Sequence, residues 1–425
     1  MTIALKSSLS WIDNNKEARE RVLGLLSQFN EKESRDELGI GSIRDRISDL
    51  LFPGTSTIQT RLRYFLFVPW LYQEAQTKNL NNKESLEYID QLERKLIVAL
   101  MQSDDLDGVF GKSSGIALKR LPSSVYWFGL EKWGFKHKAC SQADYFIYAK
   151  EVETKRAQLG KEIAYLQKRN DDFTEFQIEK NKLSLWHVSL PKPPADFPNS
   201  AHLKITNEEA LFIKEQLREY CHESLFTYLA LNSTYASSED IDAPWDHPLF
   251  DDFDSATQHL LKHAEFFSRM IHGAYLLYNL LLAEQSLSPS NEDYEGKLGQ
   301  WYQDLLERAS NKFYCLDSWS FNDFWETIEK RQVSYVEPVM INTLTKKFIE
   351  MWFEILKLKD PNFYRSEKVR KLIREREKRL KGARSRFTNK KALAQWGGAS
   401  GTNKLRYRWL TAKQFLKDLS DVEGV

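Results

Sequence analysis

Sulfur is scarce in this chain: three cysteines, Cys140, Cys221 and Cys315, stand far apart in 425 residues. No C-x-x-C pair and no disulfide framework can be drawn from them, which points to a reducing, cytoplasmic setting. Long apolar runs are missing as well. The longest, over 65–72 and 274–283, reach about half the length a bilayer-spanning helix needs. Residues 1–13 lack the charged start, apolar run and cleavage site of a secretory leader. Soluble protein with no membrane partner is the expectation. Net charge is nearly absent too, at +1, but it is far from evenly spread.

Aromatic residues are abundant, with 12 Trp, 18 Tyr and 25 Phe, enough to fill thick layers between helices. Helical periodicity dominates. Asn14 and Glu17 form a capping-box pair ahead of Ala18, Val22, Leu25, Leu26 and Phe29 on one face. Ser42 opens a second helix that Phe52, Pro53 and Gly54 stop; Ser56 with Gln59 opens a third that Pro69 should kink or end. Helices follow near 84–101, 113–120, 123–133 and 141–170. Pro191, Pro193, Pro194 and Pro198 make 187–200 the best linker candidate. Thr206 and Glu209 start a helix to about 231, and more fall near 255–284, 292–309, 320–330, 338–358 and 365–382. Only 404–409 alternates as a strand does, Leu405, Tyr407 and Trp409 against Lys404, Arg406 and Arg408. The expected fold is all-α: helical domains over 1–186 and 201–360, then a 361–425 tail of basic helix and small β-hairpin. Within the first domain, 112–134 suggests a helix-turn-helix-like unit offering Ser123, Ser124, Tyr126 and Lys132 to a groove, although short helix pairs are common in any helical protein.

Several blocks are family-like. Residues 31–45 (EKESRDELGIGSIRD), 49–70 (DLLFPGTSTIQTRLRYFLFVPW), 121–127 (LPSSVYW) with Trp133 and Gly134, and 405–409 (LRYRW) stand at widely separated points. Together they resemble a bacterial family catalogued as a domain of unknown function, number 6361, over almost the whole chain. The resemblance implies no activity and no catalytic residues. It implies a gene neighbourhood of helicases and nucleases in bacterial defence regions, and hence a helicase or nuclease as protein partner.

The constellations that carry chemistry elsewhere are incomplete here. Gly111, Lys112 and Ser113 end like a phosphate-binding loop, but Leu106 stands where its first glycine belongs, and Asp104, Asp105 and Asp107 would repel phosphate. His259 and His263 share a helical face at i and i+4, as metal ligands do. The glutamate of H-E-x-x-H is missing, no third ligand is evident, and His272 shares the face only loosely, so no metal and no cofactor are expected. Asp246, His247, Asp251, Asp252 and Asp254 form the densest acidic group. It is the basis of an alternative reading as a Mg²⁺-dependent nuclease, although Pro244 and Pro248 mark an ordinary surface turn. Arg35, Arg44, Arg61 and Arg63 make a candidate anion site, arginine's planar fork suiting phosphate; the same residues also read as a structural ion-pair network.

The C-terminal end is the strongest signal. Over 365–417 there are 18 Lys/Arg and 3 Asp/Glu, net +15, so the remaining residues sum to −14. Such asymmetry points first to nucleic acid. Arg374, Arg376, Lys378, Arg379, Arg384, Arg386, Arg406 and Arg408 are expected to neutralise phosphates, with Trp396, Tyr407 and Trp409 packing or stacking beside them. The leading expectation is a non-catalytic nucleic-acid-binding subunit. A structural adaptor, its basic end docked on its own acidic body or an acidic partner, stands beside it.

Overall fold

A computed structural model of the protein describes residues 36–169, 172, 174–177, 183–286, 292–307 and 313–422. The helix expected over 14–29 lies outside the described residues, as does Arg35. The described chain is mostly helical and contains no sheet; its β contacts are the isolated bridges Lys136–Trp186 and Val333–Val336.

Local chemistry explains most helix starts. Asn81 Oδ1 accepts the Glu84 amide at 3.0 Å while Glu84 Oε2 accepts the Asn81 amide at 3.1 Å, and helix Asn82–Leu100 begins there. Thr206 and Glu209 make the same reciprocal pair ahead of helix Asn207–Tyr220, satisfying amides that the first turn leaves without intrahelical partners. Helices Gly41–Leu51, Pro122–Lys132, Tyr145–Arg169, Ser255–Gln285, Tyr294–Glu307, Thr343–Lys357 and Glu367–Lys381 fall where the periodicity places them. Differences occur where sequence offers competing signals. The helix starting at Asn207 breaks after Tyr220 and resumes as Leu225–Asn232, capped by Ser224. Lys112–Arg120 contains only a 3₁₀ turn, Gly115–Ala117. Helix Tyr64–Gln76 runs through Pro69.

The expected β-hairpin is a correction. Tyr407 and Arg408 have φ of 48° and 66°, left-handed values that no strand accommodates. The alternation of Leu405, Tyr407 and Trp409 instead belongs to a tight entry into helix Trp409–Ser420, with the Tyr407 hydroxyl donating to Ala264 O at 2.9 Å.

The chain divides into two compact units, each made of separated stretches. The first comprises 36–45, Phe266–Phe321 and Met340–Leu405. Its core is tryptophan-rich: Trp301 donates to Arg269 O at 2.8 Å and Trp352 to Met270 O at 3.0 Å. Trp301 sits so close over Gly273 that a Cβ there would lie 2.0 Å from its ring, so only glycine fits. The second unit comprises Arg46–Glu265, Asn322–Val339 and 406–422. Phe65 stacks on Trp133 at 4.0 Å between ring centres, Trp133 on Phe226 at 5.6 Å, and Phe415 closes the cluster edge-on. The proline-rich 187–200 lies within this unit, with Trp70 donating to Pro191 O at 2.7 Å and Phe197 stacked on Phe67.

One buried carboxyl in the second unit gives a pH signature. Glu93 accepts the Ser123 amide at 2.7 Å and the Ser123 hydroxyl at 2.8 Å, tying helix Asn82–Leu100 to the start of Pro122–Lys132. Burial pushes its pKa up from 4.5 to about 7. A folded-state value above the unfolded one means its stability contribution is complete below about pH 4.5 and is lost as pH rises through about 7, on the order of 3 kcal/mol in all. Glu93→Gln keeps an acceptor and removes the titration. Urea unfolding at about pH 5 and about pH 8 should show the wild type losing stability relative to the variant as pH rises; parallel profiles would contradict this.

Candidate functional site

In the first unit, helix Glu367–Lys381 sorts its charges by face. Val369, Ile373, Arg376 and Glu377 are buried. Arg376, 6 % exposed, donates to Leu38 O at 2.9 Å, Gly39 O at 3.2 Å and Thr345 Oγ1 at 2.8 Å, and lies over the Phe348 ring. Gly39, at φ 66°, has no room for a side chain beside Arg376 and Leu380. Glu377 accepts the Ser385 hydroxyl and, at 2.8 Å, the Arg386 amide; burial still pushes its pKa up. Glu37 receives two cations, Lys381 at 2.9 Å and Arg386 at 2.7 Å, and Arg386 also reaches Tyr278 Oη at 3.0 Å and Ser400 Oγ at 3.2 Å. Burial lowers the Arg386 pKa, but Tyr278 and Glu37 outweigh it and hold the guanidinium above its usual range. Trp396 is buried, donating to Asn279 Oδ1 at 3.1 Å.

Other cations here face solvent. Arg374 pairs with Glu367 at 2.9 Å and Lys378 with Glu375 at 3.2 Å; such exposed pairs contribute about 0–1 kcal/mol and break readily. Lys368, Lys371, Arg379, Lys390, Lys391 and Lys404 are exposed, and among the described residues no carboxylate pairs with them. By helical spacing Lys368, Lys371, Lys378 and Arg379 share one face, opposite Ile373 and Glu377. Arg384 is exposed as well.

The remaining members of the basic end belong to the second unit. Arg408 donates to Asp49 at 2.6 Å and Thr55 O at 2.8 Å, while Arg406 lies 3.5 Å from Asp242. Tyr407 and Trp409 are 2 % and 0 % exposed, so neither ring presents a face to a base. The Trp409 indole donates to Ile241 O at 2.8 Å.

Each described member of the candidate anion site has its own acceptors. Arg44 pairs with Asp45 at 3.1 Å and lies 4.0 Å from Asp36 in the first unit. In the second, Arg61 is gripped by Asp418 at 2.8 Å and Asp105 at 2.6 Å, and Asp418 also accepts the Leu62 amide. Burial pushes Asp418 up to about 6 against the pull of Arg61. Arg63 meets Glu209 at 2.8 Å and His202 O at 2.9 Å. Asp105, which repelled a phosphate-loop reading, is thus a counter-ion of Arg61.

Of the helix-turn-helix candidates, Ser123 and Tyr126 are buried, Lys132 donates to Tyr335 O at 3.0 Å, and Ser124 is exposed. Asp246, Asp251, Asp252 and Asp254 are exposed; Asp254 caps helix Ser255–Gln285 through the Thr257 amide at 2.9 Å, and His247 is buried against Ser238 Oγ at 3.0 Å. Among the described residues, the one group of three or more potential ligands close enough to share a metal ion is His259, His263 and Asp323. His259 Nε2 lies 3.0 Å from Asp323 Oδ1 and His263 Nε2 3.1 Å from Oδ2. Burial, reinforced by His259, lowers the His263 pKa to about 4 despite Asp323. The third residue lies 60 positions beyond His263, a separation at which no local pattern could have flagged it.

The described chain is therefore mostly helical, with a basic end that is partly built into its cores and partly displayed. The model of the Family of unknown function (DUF6361) matches residues 6–423, and the chain belongs to that family. No curated protein and no solved structure matches it.

Because Arg376 is a core residue and Arg379 is not, the two should separate in stability. Arg376→Leu leaves the Leu38 and Gly39 carbonyls without their donor and should cost about 1–3 kcal/mol. Arg379→Ala should stay within about 0.5 kcal/mol. Urea midpoints of the two variants check this, and equal midpoints would contradict it.

Proposed function

We propose that the protein is a non-catalytic nucleic-acid-binding subunit that grips the phosphate backbone through the displayed cations of its first unit. The observation that carries this reading is the exposed set Lys368, Lys371, Arg379, Lys390 and Lys391, for which the described residues offer no carboxylate. Lysines on a solvated helix face act as point charges that release condensed counterions from a polyanion; they confer affinity without base readout. Arg374 and Lys378 can join them by exchanging an exposed carboxylate for phosphate. Arg376, Arg386 and Arg408 hold the fold, and Tyr407 and Trp409 pack. Binding on this reading is therefore backbone-directed and sequence-tolerant. Its protein partner would be a helicase or nuclease of a bacterial defence system, as the family resemblance implies.

A structural adaptor, its basic end docked on its own acidic body or on an acidic partner, is the second reading, favoured by the carboxylates already held by Arg374, Lys378, Arg386, Arg406 and Arg408. The two differ in solution. If five cations contact duplex phosphates, log affinity should fall with log salt with a slope of about −4.5, roughly 500-fold between about 50 and about 200 mM. Simultaneous Lys368→Glu, Lys371→Glu, Arg379→Glu, Lys390→Glu and Lys391→Glu should abolish binding while the unfolding midpoint is kept. Point reversals are the appropriate test because Tyr407, Trp409 and Asp418 are core residues that removal of the end would take away. A flat salt response, or undiminished affinity in the reversed variant, would leave the adaptor reading in place.

A further inference from the structure

We propose that His259, His263 and Asp323 bind a divalent first-row transition cation, through both imidazole Nε2 atoms and a carboxylate oxygen. The site is independent of the displayed cations: His259 and His263 stand in the early turns of helix Ser255–Gln285, Asp323 in the short helix Phe321–Trp325, all three in the second unit.

Geometry is the first argument. Spacing of i and i+4 brings both imidazoles onto one face, with ring centres 4.7 Å apart and planes at 82°. One carboxylate faces both, an oxygen toward each Nε2 at 3.0 and 3.1 Å, and one ligand atom from each residue lies within 4.8 Å of the others. Tetrahedral zinc with bonds of about 2.0–2.1 Å requires ligand atoms about 3.3 Å apart. Whichever carboxylate oxygen binds, its edge to the histidine facing it is already near that length, and the other edges, none beyond 4.8 Å, close by rotation of the part-exposed His259 and Asp323 side chains.

Accessibility and donor type are the second. His263 is fully buried and fixes one ligand, packed 5.6 Å from the Phe324 ring, whereas the side chains of His259 and Asp323 are 38 % and 43 % exposed. An ion can therefore enter from solvent, and water can take the next position. Two imidazoles and one carboxylate suit zinc and its neighbours, not magnesium or calcium, which call for oxygen ligands. Three protein ligands with an open position is the arrangement of metals that bind water or a further ligand, in contrast to the closed four-ligand structural sites. On loading, the proton carried by a coordinating Nε2 moves to Nδ1 or to solvent.

The test uses the full chain after chelation, titrated with Zn²⁺ by calorimetry and with Co²⁺ by visible absorption near pH 7.5. The expected result is one saturable equivalent with new Co²⁺ d–d bands. His259→Gln and Asp323→Asn, both at partly exposed positions, should each weaken binding by at least about 100-fold, since even outer partners of a ligating histidine are worth about 10–100-fold. Absence of saturable binding by the wild type overturns the proposal without reference to any variant's folding. So does unchanged affinity and stoichiometry in both variants, which would place the ion elsewhere.

Discussion

A guanidinium taken out of water must find an acceptor for its N–H groups, and that requirement sorts the basic end of this chain. Arg376 finds the carbonyls of Leu38 and Gly39 and the Thr345 hydroxyl; Arg386 finds Glu37, Tyr278 and Ser400. In the second unit Arg61 finds Asp418 and Asp105, and Arg408 finds Asp49. Removing the acceptors would leave these largely buried guanidiniums unpaired, so these arginines are committed to the fold. Lysines fall largely on the other side of the division. Their strongly hydrated ammonium groups stay in water, and what they offer a partner is charge without fixed geometry.

Much of the helical layout was legible because its determinants are local. The reciprocal cap at Thr206 and Glu209 acts over three residues, as does the pair at Asn81 and Glu84, whereas the face that helix Glu367–Lys381 buries was not legible, because in sequence its cations ring the helix. Segment 404–409 misled because period-2 alternation does not report backbone sign. The left-handed pair Tyr407 and Arg408 is held by the Tyr407 hydroxyl and by Asp49, both long-range contacts. Pro69 continues its helix inside an almost wholly buried segment, where packing outweighs the missing amide.

The candidate sites were legible in the same uneven way. The charge excess over 365–417 was plain, but the division into paired arginines and displayed lysines rests on carboxylates as distant as Glu37 and Asp49. The acidic balance of the rest of the chain signalled that such partners exist and gave no hint of which they are. The histidine pair was visible at its spacing, and Asp323 became its neighbour only through tertiary folding. A backbone grip and a transition-metal site draw on different residues in different units, so neither reading depends on the other.

Lysine-reactive footprinting of the intact chain, read by mass spectrometry with and without duplex DNA at low salt, tests the central claim most directly. The account predicts protection of Lys368, Lys371, Lys390 and Lys391 on binding, with Lys381, already held by Glu37, slow to react in both states. Bound DNA that leaves those four lysines as reactive as before would contradict it.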